Sequence, residues 1–469
     1  LPALCIHPGS RVMGMKRAAE FAAAFPRVFP FPDRFFPMLS MPDASVRSAR
    51  RPRVGPGLAG VLAGVLIFGS AFLGGCDLAG SDTDTSAPAD PPRPLTANET
   101  QVVEADNAFG LSLFRETVRA EDGGNVFLSP LSVSMALGMT LNGARGDTRT
   151  AMETALRKQD LDPDEINDAY RGLLDLLTTL DPSVEVSIAN SIWHDNNFNV
   201  KQPFIDTNRE HFDAEVAGLD FADPSASDRI NKWVADATGG NIDAIVPRRI
   251  PGALRMYLIN ATYFAGDWRV PFDPADTRER PFTRADGSTV SVPMMERTEN
   301  VAHPFYRTDA FTAVDVAYGD SLYSMTLLVP RGENTVQGLV DTLDTEAWAR
   351  ITDRMRPRGL SRLQMPKFTL EYERSLPRIL SSLGMGIAFS DDANFRDIAD
   401  ANLAIDDVKH KTTLQVDEEG TEASAATAVG IGVVSVPPEV VVDRPFVVAI
   451  RENHSGTILF LGTVMDPTG

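Results

Sequence analysis

From about Ala97 the apolar positions recur with a helical period. In "ETQVVEADNAFGLSLFRETVRA", Val102, Val103, Ala105, Phe109, Leu113 and Phe114 fall mostly on one face, which predicts an amphipathic helix. "NVFLSPLSVSMALGMTLNGA" is a second apolar segment, broken early by Pro130, where Ser129 makes a good N-cap and Pro130 a good first helical residue. "DEINDAYRGLLDLLTTL" reads as a helix, "VEVSIANSIWHD" as a strand, and "DRINKWVADATGGNI" as a capped helix ending at Gly239-Gly240. From Met256 strands dominate: "MYLINATYF", "FTAVDVAY", "YSMTLLVP", "SRLQMPKFTLEY", "PFVVAIREN" and "GTILFLGTVMDP". Helices first and strands later, without regular alternation or internal repeat, predict one α+β domain over residues 97–469 rather than a doubly wound sheet.

Composition adds a division of charge. With 43% apolar and 23% charged residues in 469, a sizeable core is affordable, and the net charge of −20 argues against a nucleic-acid partner held through a broad basic face. Residues 1–75, however, hold nine of the 44 Lys and Arg and only three of the 64 Asp and Glu, so the remainder sits at −26. The basic part is a separate object.

Its most informative stretch is "SVRSARRPRVGPGLAGVLAGVLIFGSAFLGGC". Arg47, Arg50, Arg51 and Arg53 precede an uncharged run from Val54 to Gly75, and positive, then apolar, then small is the order of an export signal. The last four residues, Leu73-Gly74-Gly75-Cys76, resemble a bacterial lipobox, in which the Cys becomes the acylated first residue of the mature chain. A retained membrane-spanning helix is the alternative; seven glycines in that run and a terminal Cys weigh against it. The expectation is therefore an exported protein, lipid-anchored through Cys76 at the cell envelope, on its periplasmic or extracellular face. Upstream of Met41, a plausible start, no targeting pattern is recognisable, and residues 76–96 form a polar, Pro-rich tether. Cys5 and Cys76 are the only thiols, so the body contains neither disulfide nor Cys metal site.

Catalytic chemistry finds little support. The body's histidines, at 194, 211, 303, 410 and 454, include no pair at helical metal-ligand spacing, and neither a phosphate loop nor a Gly-x-Ser-x-Gly elbow occurs. Neither enzymatic activity nor a cofactor is expected.

One stretch calls for a different account. In "EEGTEASAATAVGIGVVSVPPEV", which starts at Glu418, a β conformation would turn Thr421, Ala423, Ala425 and Thr427 to one face and Glu422, Ser424 and Ala426 to the other. One face is small and uncharged, as a strand entering a closely packed sheet requires, because an inward charge there would be strongly unfavourable. An Ala-rich helix or exposed linker is the plainer reading of this stretch by itself.

The company it keeps resembles the serpin family over Ala97 to Gly469. "NVFLSPLSVSMAL" is similar to the segment beneath that family's central sheet, "LINATYFAGDWRVPF" carries Asn260 and Trp268 in the expected places, and "MPKFTLEY", "VKHKTTLQVDEEGTEA", "DRPFVVAI" and "ILFLGTVMDP" match in kind and order. The resemblance implies helices around a large central sheet, two further sheets and an exposed reactive loop. Its hinge would run Glu418, Glu419, Gly420, Thr421, Glu422, Ala423, Ser424, Ala425, Ala426, Thr427, and the reactive bond would be Val434-Ser435. It further implies a polar cluster, the shutter, from Ser129, Ser132, Asn260 and His410, and a breach at Trp268, where Lys367 would pair with Glu418.

The implied activity is suicide inhibition of a serine protease. The target would attack Val434, form a covalent acyl-enzyme, and be trapped as the cleaved loop joins a five-stranded sheet as an extra strand. Val434 points to elastase-like or subtilisin-like targets. A monomer is expected. A non-inhibitory serpin, acting as a chaperone or binding protein, is the alternative, although the hinge lacks the bulky, charged or Pro residues expected of one. A structural envelope lipoprotein is the third class.

Overall fold

The computed structural model describes residues 2–8, 92–121, 123–421 and 437–469. Cys76, the hinge beyond Thr421 (Glu422, Ala423, Ser424, Ala425, Ala426, Thr427) and the Val434-Ser435 bond lie outside the described residues.

The helices start where side chains can satisfy their first N–H groups. Helix α1 (Ala97–Ala120) opens on a capping box: Thr96 Oγ1 accepts from Glu99 N at 3.2 Å, and Glu99 Oε2 accepts from Thr96 N at 2.7 Å. Helix α2 (Pro130–Leu141) is capped by Ser129 and buried at every position, which explains why its sequence is apolar all round. Helices α3 (Gly146–Ala155), α4 (Pro163–Leu177) and α5 (Gln202–Phe212) follow. Helix α6 (Pro224–Ala237) begins four residues before the predicted Asp228, because Asp223 and Pro224 supply its cap and first turn. The shorter α7 (Val336–Thr342), α8 (Thr345–Arg354) and α9 (Pro377–Leu380) lie among the later strands.

Three sheets carry the rest. The central sheet runs β13 (Phe368–Ser375), β14 (Leu403–Val416), β1 (Pro2–Pro8), β5 (Met256–Asp267), β3 (Val184–Asp195), β4 (Glu215–Leu219), and β15 (Gly420–Thr421) pairs with the end of β5. The second runs β11 (Arg356–Gly359), β8 (Ala302–Arg307), β9 (Phe311–Tyr318), β10 (Tyr323–Pro330), β17 (Phe446–Glu452), β18 (Ile458–Val464), β2 (Val126–Leu128). The third runs β16 (Glu439–Val441), β12 (Arg362–Pro366), β7 (Thr289–Arg297), β6 (Arg278–Thr283). The single predicted strand "SRLQMPKFTLEY" is two strands of different sheets, β12 and β13, with Lys367 at the corner.

Strand β5 is buried almost throughout because both its faces are covered. One apolar cluster, with Trp193, Ile230, Val234, Tyr257 and Ile259, lies under α6, and the main core, with Leu258, Phe264 and α2, lies on the other side. The central sheet departs from the expected five strands. Residues 2–8, grouped by sequence with the basic upstream stretch, form a strand between β5 and β14, hydrogen-bonded antiparallel to both.

A buried ionic cluster ties four helical segments together. Lys158, just after α3, is fully buried and bonds Asp106 of α1 and, at 3.2 Å, Ser134 Oγ of α2; the Tyr170 hydroxyl of α4 donates to the same Asp106 oxygen at 3.1 Å. Removing one partner strands the other charge, which typically costs about 3–5 kcal/mol. Lys158→Met should therefore lower the unfolding free energy in urea by about that amount; an unchanged denaturation midpoint would mean the cluster is not held as an ion pair.

Candidate functional site

Two sites meet on β5, one at each end of the stretch where β5 faces the gap toward β14. At the first, the chain leaves β14 through a tight turn in which Asp417 Oδ1 accepts from Glu419 N at 3.0 Å and Gly420 N at 3.3 Å. The turn lays the hinge against β5: Trp268 N donates to Glu419 O and Phe272 N to Glu418 O, both at 2.8 Å, and Gly420 and Thr421 pair with Asp267 and Gly266. The approach is close enough to need glycine, since a Cβ on Gly420 would meet the Gly266 carbonyl oxygen and lie 2.7 Å from Asp267 Cα.

Side chains fix the same junction. The Trp268 indole is buried, donates from Nε1 to Asp417 O at 2.9 Å, and stacks on Tyr318 with 4.4 Å between ring centroids. The Tyr318 hydroxyl in turn sits 3.0 Å from Thr421 Oγ1, so Thr421 already points inward. Lys367 Nζ reaches Glu418 Oε2 at 2.5 Å, and Thr277 Oγ1 donates to Oε1 at 2.7 Å. Burial would raise the Glu418 pKa, but hydrogen bonds from Lys367, Thr277 and its own backbone, with the charge of Lys367, outweigh it and hold the carboxylate below its ordinary range.

At the second site, Ser129, Ser132, Asn260 and His410 are all fully buried and close together. Ser129 N donates to His410 Nε2 at 3.1 Å; Ser132 Oγ donates to Asn260 Oδ1 at 2.5 Å. Sequence reasoning missed Asn190, whose Oδ1 accepts from Asn260 Nδ2 at 2.8 Å, and Thr262, whose hydroxyl donates to Asn260 Oδ1 at 2.8 Å. It also missed Tyr318. The network spans the gap: the Asn260 group belongs to β3, β5 and α2, His410 belongs to β14, Ser129 and Ser132 at the start of α2 join them, and β1 runs between the two strands. Since Nε2 accepts, the neutral imidazole carries its proton on Nδ1, which has no partner among the described residues.

Between the two sites a narrow cleft remains, lined by Thr262, Phe264, Thr413, Gln415 and Thr421. Beyond the loop, the chain is anchored again: Ser361 N donates to Pro438 O and Ser361 Oγ to Pro437 O, both at 2.9 Å. No group of three or more His, Cys, Asp or Glu among the described residues is placed to hold a metal ion.

Comparison with known proteins decides what this arrangement is. A sequence model of the family described as "Serpin (serine protease inhibitor)" matches residues 104–467. Iripin-1 of Ixodes ricinus is 33% identical over 368 residues, 77% of this chain and 93% of that protein. The chain belongs to the serpin family. The native structure of the thermophilic serpin tengpin superposes with a TM-score of 0.71 at 31% identity, covering 81% of this chain and 97% of that one. Human thyroxine-binding globulin superposes with a TM-score of 0.72 at 26% identity, covering 80% and 100%. The gap between β5 and β14 thus lies in the central sheet of a serpin, and the expected fold is the observed one.

The burial of two histidines predicts acid sensitivity for this serpin. Burial pushes the His410 pKa well down; burial, then the Arg297 cation, lowers His303 to about 4 despite its bond to the Asp315 carbonyl. Both are neutral when folded and titrate near 6.5 when unfolded, so the unfolded chain binds more protons below about pH 6.5 and stability falls as pH drops. Between about pH 6.5 and 5, His410→Gln should flatten the fall in unfolding free energy by up to about 1.4 kcal/mol per pH unit. Parallel profiles for variant and parent across that range would contradict this.

Proposed function

We propose that this serpin is a suicide inhibitor of serine proteases with elastase-like or subtilisin-like specificity. The reading is carried by one observation, the register in which the hinge already pairs with β5, Gly420 to Asp267 and Thr421 to Gly266. Continued antiparallel, that register sets Ala423 opposite Phe264, Ala425 opposite Thr262 and Thr427 opposite Asn260. The small, uncharged face of the loop would then enter the cleft, which has no room for larger groups or charges.

The chemistry is that of an interrupted substrate. The protease serine oxygen attacks the Val434 carbonyl carbon, the bond to Ser435 nitrogen breaks, and the amine leaves with a proton from the protease's general acid. An ester links Val434 to the protease. The freed hinge propagates as a strand, gains a main-chain hydrogen bond at each step, and drags the tethered protease before water can deacylate it. Trp268, Lys367 and Glu418 set the starting point; Ser129, Ser132, Asn260 and His410 act as the polar latch between the parting strands. A valine at the cleaved position suits a shallow apolar pocket.

Incubation with pancreatic elastase or subtilisin should give an adduct that survives denaturing gels. Ala425→Arg asks an unpaired guanidinium to enter the sheet, so it should be cut at the same bond yet release active protease, while the outward Glu422→Arg should inhibit like the parent. Cleavage of the parent with no adduct would instead favour a non-inhibitory role, such as the binding named in thyroxine-binding globulin.

The same reading includes export and a lipid anchor on Cys76, supported by the lipobox-like Leu73-Gly74-Gly75-Cys76. Cys76→Ala should release the protein from the membrane fraction or block its processing; a parent that is soluble and carries no lipid would contradict it.

A further inference from the structure

Strand β1 and the hinge share one partner. On β5, Ala3 pairs with Ile259, Leu4 with Leu258, Cys5 with Tyr257 and Ile6 with Met256, antiparallel, in the same sense as Gly420 with Asp267 and Thr421 with Gly266. On the other side β1 pairs along β14 from Pro2 opposite His410 to Pro8 opposite Leu403, with one register shift between Cys5 and Ile6. Extending the hinge register sets Ala428 opposite Ile259, Val429 opposite Leu258, Gly430 opposite Tyr257 and Ile431 opposite Met256. These are the four β5 positions that β1 holds. Pro2, level with His410, also stands beside Asn260, so the loop's path is open as far as Ala426, opposite Ala261, and closed beyond it.

We propose that residues 2–8 form an autoinhibitory strand, a stand-in for the lower half of the inserted loop that halts insertion before Thr427 until it is displaced. A central strand presents donors and acceptors to both neighbours, and a segment already satisfying them is removed only by breaking its ladder. With β1 seated, a cleaved loop gains the upper hydrogen bonds but not the lower ones. The protease is then dragged only part of the way, deacylation competes successfully, and the serpin is consumed as a substrate. Removal of residues 1–75, as processing before Cys76 would achieve, vacates the lower gap and arms the inhibitor. The inference rests on the loop-insertion reading above, but the two fail differently in the test.

The test uses the full chain, produced in a cytosol that leaves residues 1–75 in place, beside a Leu4→Pro/Ile6→Pro double variant. Each proline deletes a ladder N–H from a strand paired on both sides. The variant should need several-fold less inhibitor per elastase molecule neutralised than the parent. Amide hydrogen exchange of residues 3–6 supplies a second readout independent of inhibition. These amides should exchange far more slowly in the intact protein than in the urea-unfolded chain. Equal stoichiometry for parent and variant, or rapid exchange of residues 3–6 before cleavage, would each overturn the autoinhibitory strand. Absence of any adduct from both proteins, with residues 3–6 still protected before cleavage, would instead remove the inhibitor reading and leave the seated strand standing.

Discussion

Strands β5 and β14 run through the middle of the central sheet with their facing backbone groups committed to third parties, not to each other. β1 takes the lower positions, Gly420 and Thr421 take the uppermost on β5, and the cleft beside Thr262 and Thr413 lies between. A backbone N–H or C=O buried without a partner is costly, so a sheet parted in its centre selects strongly for any chain segment that can lie in the gap. The reactive loop, the polar cluster below it and the upstream strand all have their meaning through that demand.

The contacts at the hinge differ in weight. The Lys367–Glu418 pair is short, but its lysine is 36% exposed, and exposed pairs contribute little; it sets position more than stability. Greater weight falls on groups removed from water: the Trp268 indole, its stack on Tyr318, and the backbone bonds from Trp268 and Phe272 to the hinge carbonyls. Gly420 is what permits them, because no larger residue could bring the two backbones so close. The hinge is thus already seated against β5, and in the proposed insertion cleavage has only to extend pairing that exists.

Much of this was legible in the sequence because it is written in local chemistry. Ser129-Pro130 reads as a helix start by itself, and the burial of β5 follows from the apolar residues that predominate on both its faces. Asn260 and Trp268 were found because neighbouring motifs gave them a frame. Asn190, Thr262 and Tyr318 were missed because each is a single polar or aromatic residue inside a strand, and its partner is on another strand or at another register. Lys158 gave no sign of burial, since the carboxylate that receives it is on a different helix. β1 was the least legible: "PALCIHP" is a short apolar run between prolines, and only a gap built from residues more than 240 positions away makes it a strand.

The central claim, that the cut loop continues the hinge register along β5, is tested most directly by amide hydrogen exchange before and after cleavage at the loop. The amides of residues 261–265 on β5 and 411–416 on β14 border the cleft, and they do so whether or not β1 is displaced. The account predicts that cleavage slows their exchange strongly while the second and third sheets are unaffected. Exchange at those amides that is unchanged in the cleaved protein would contradict it.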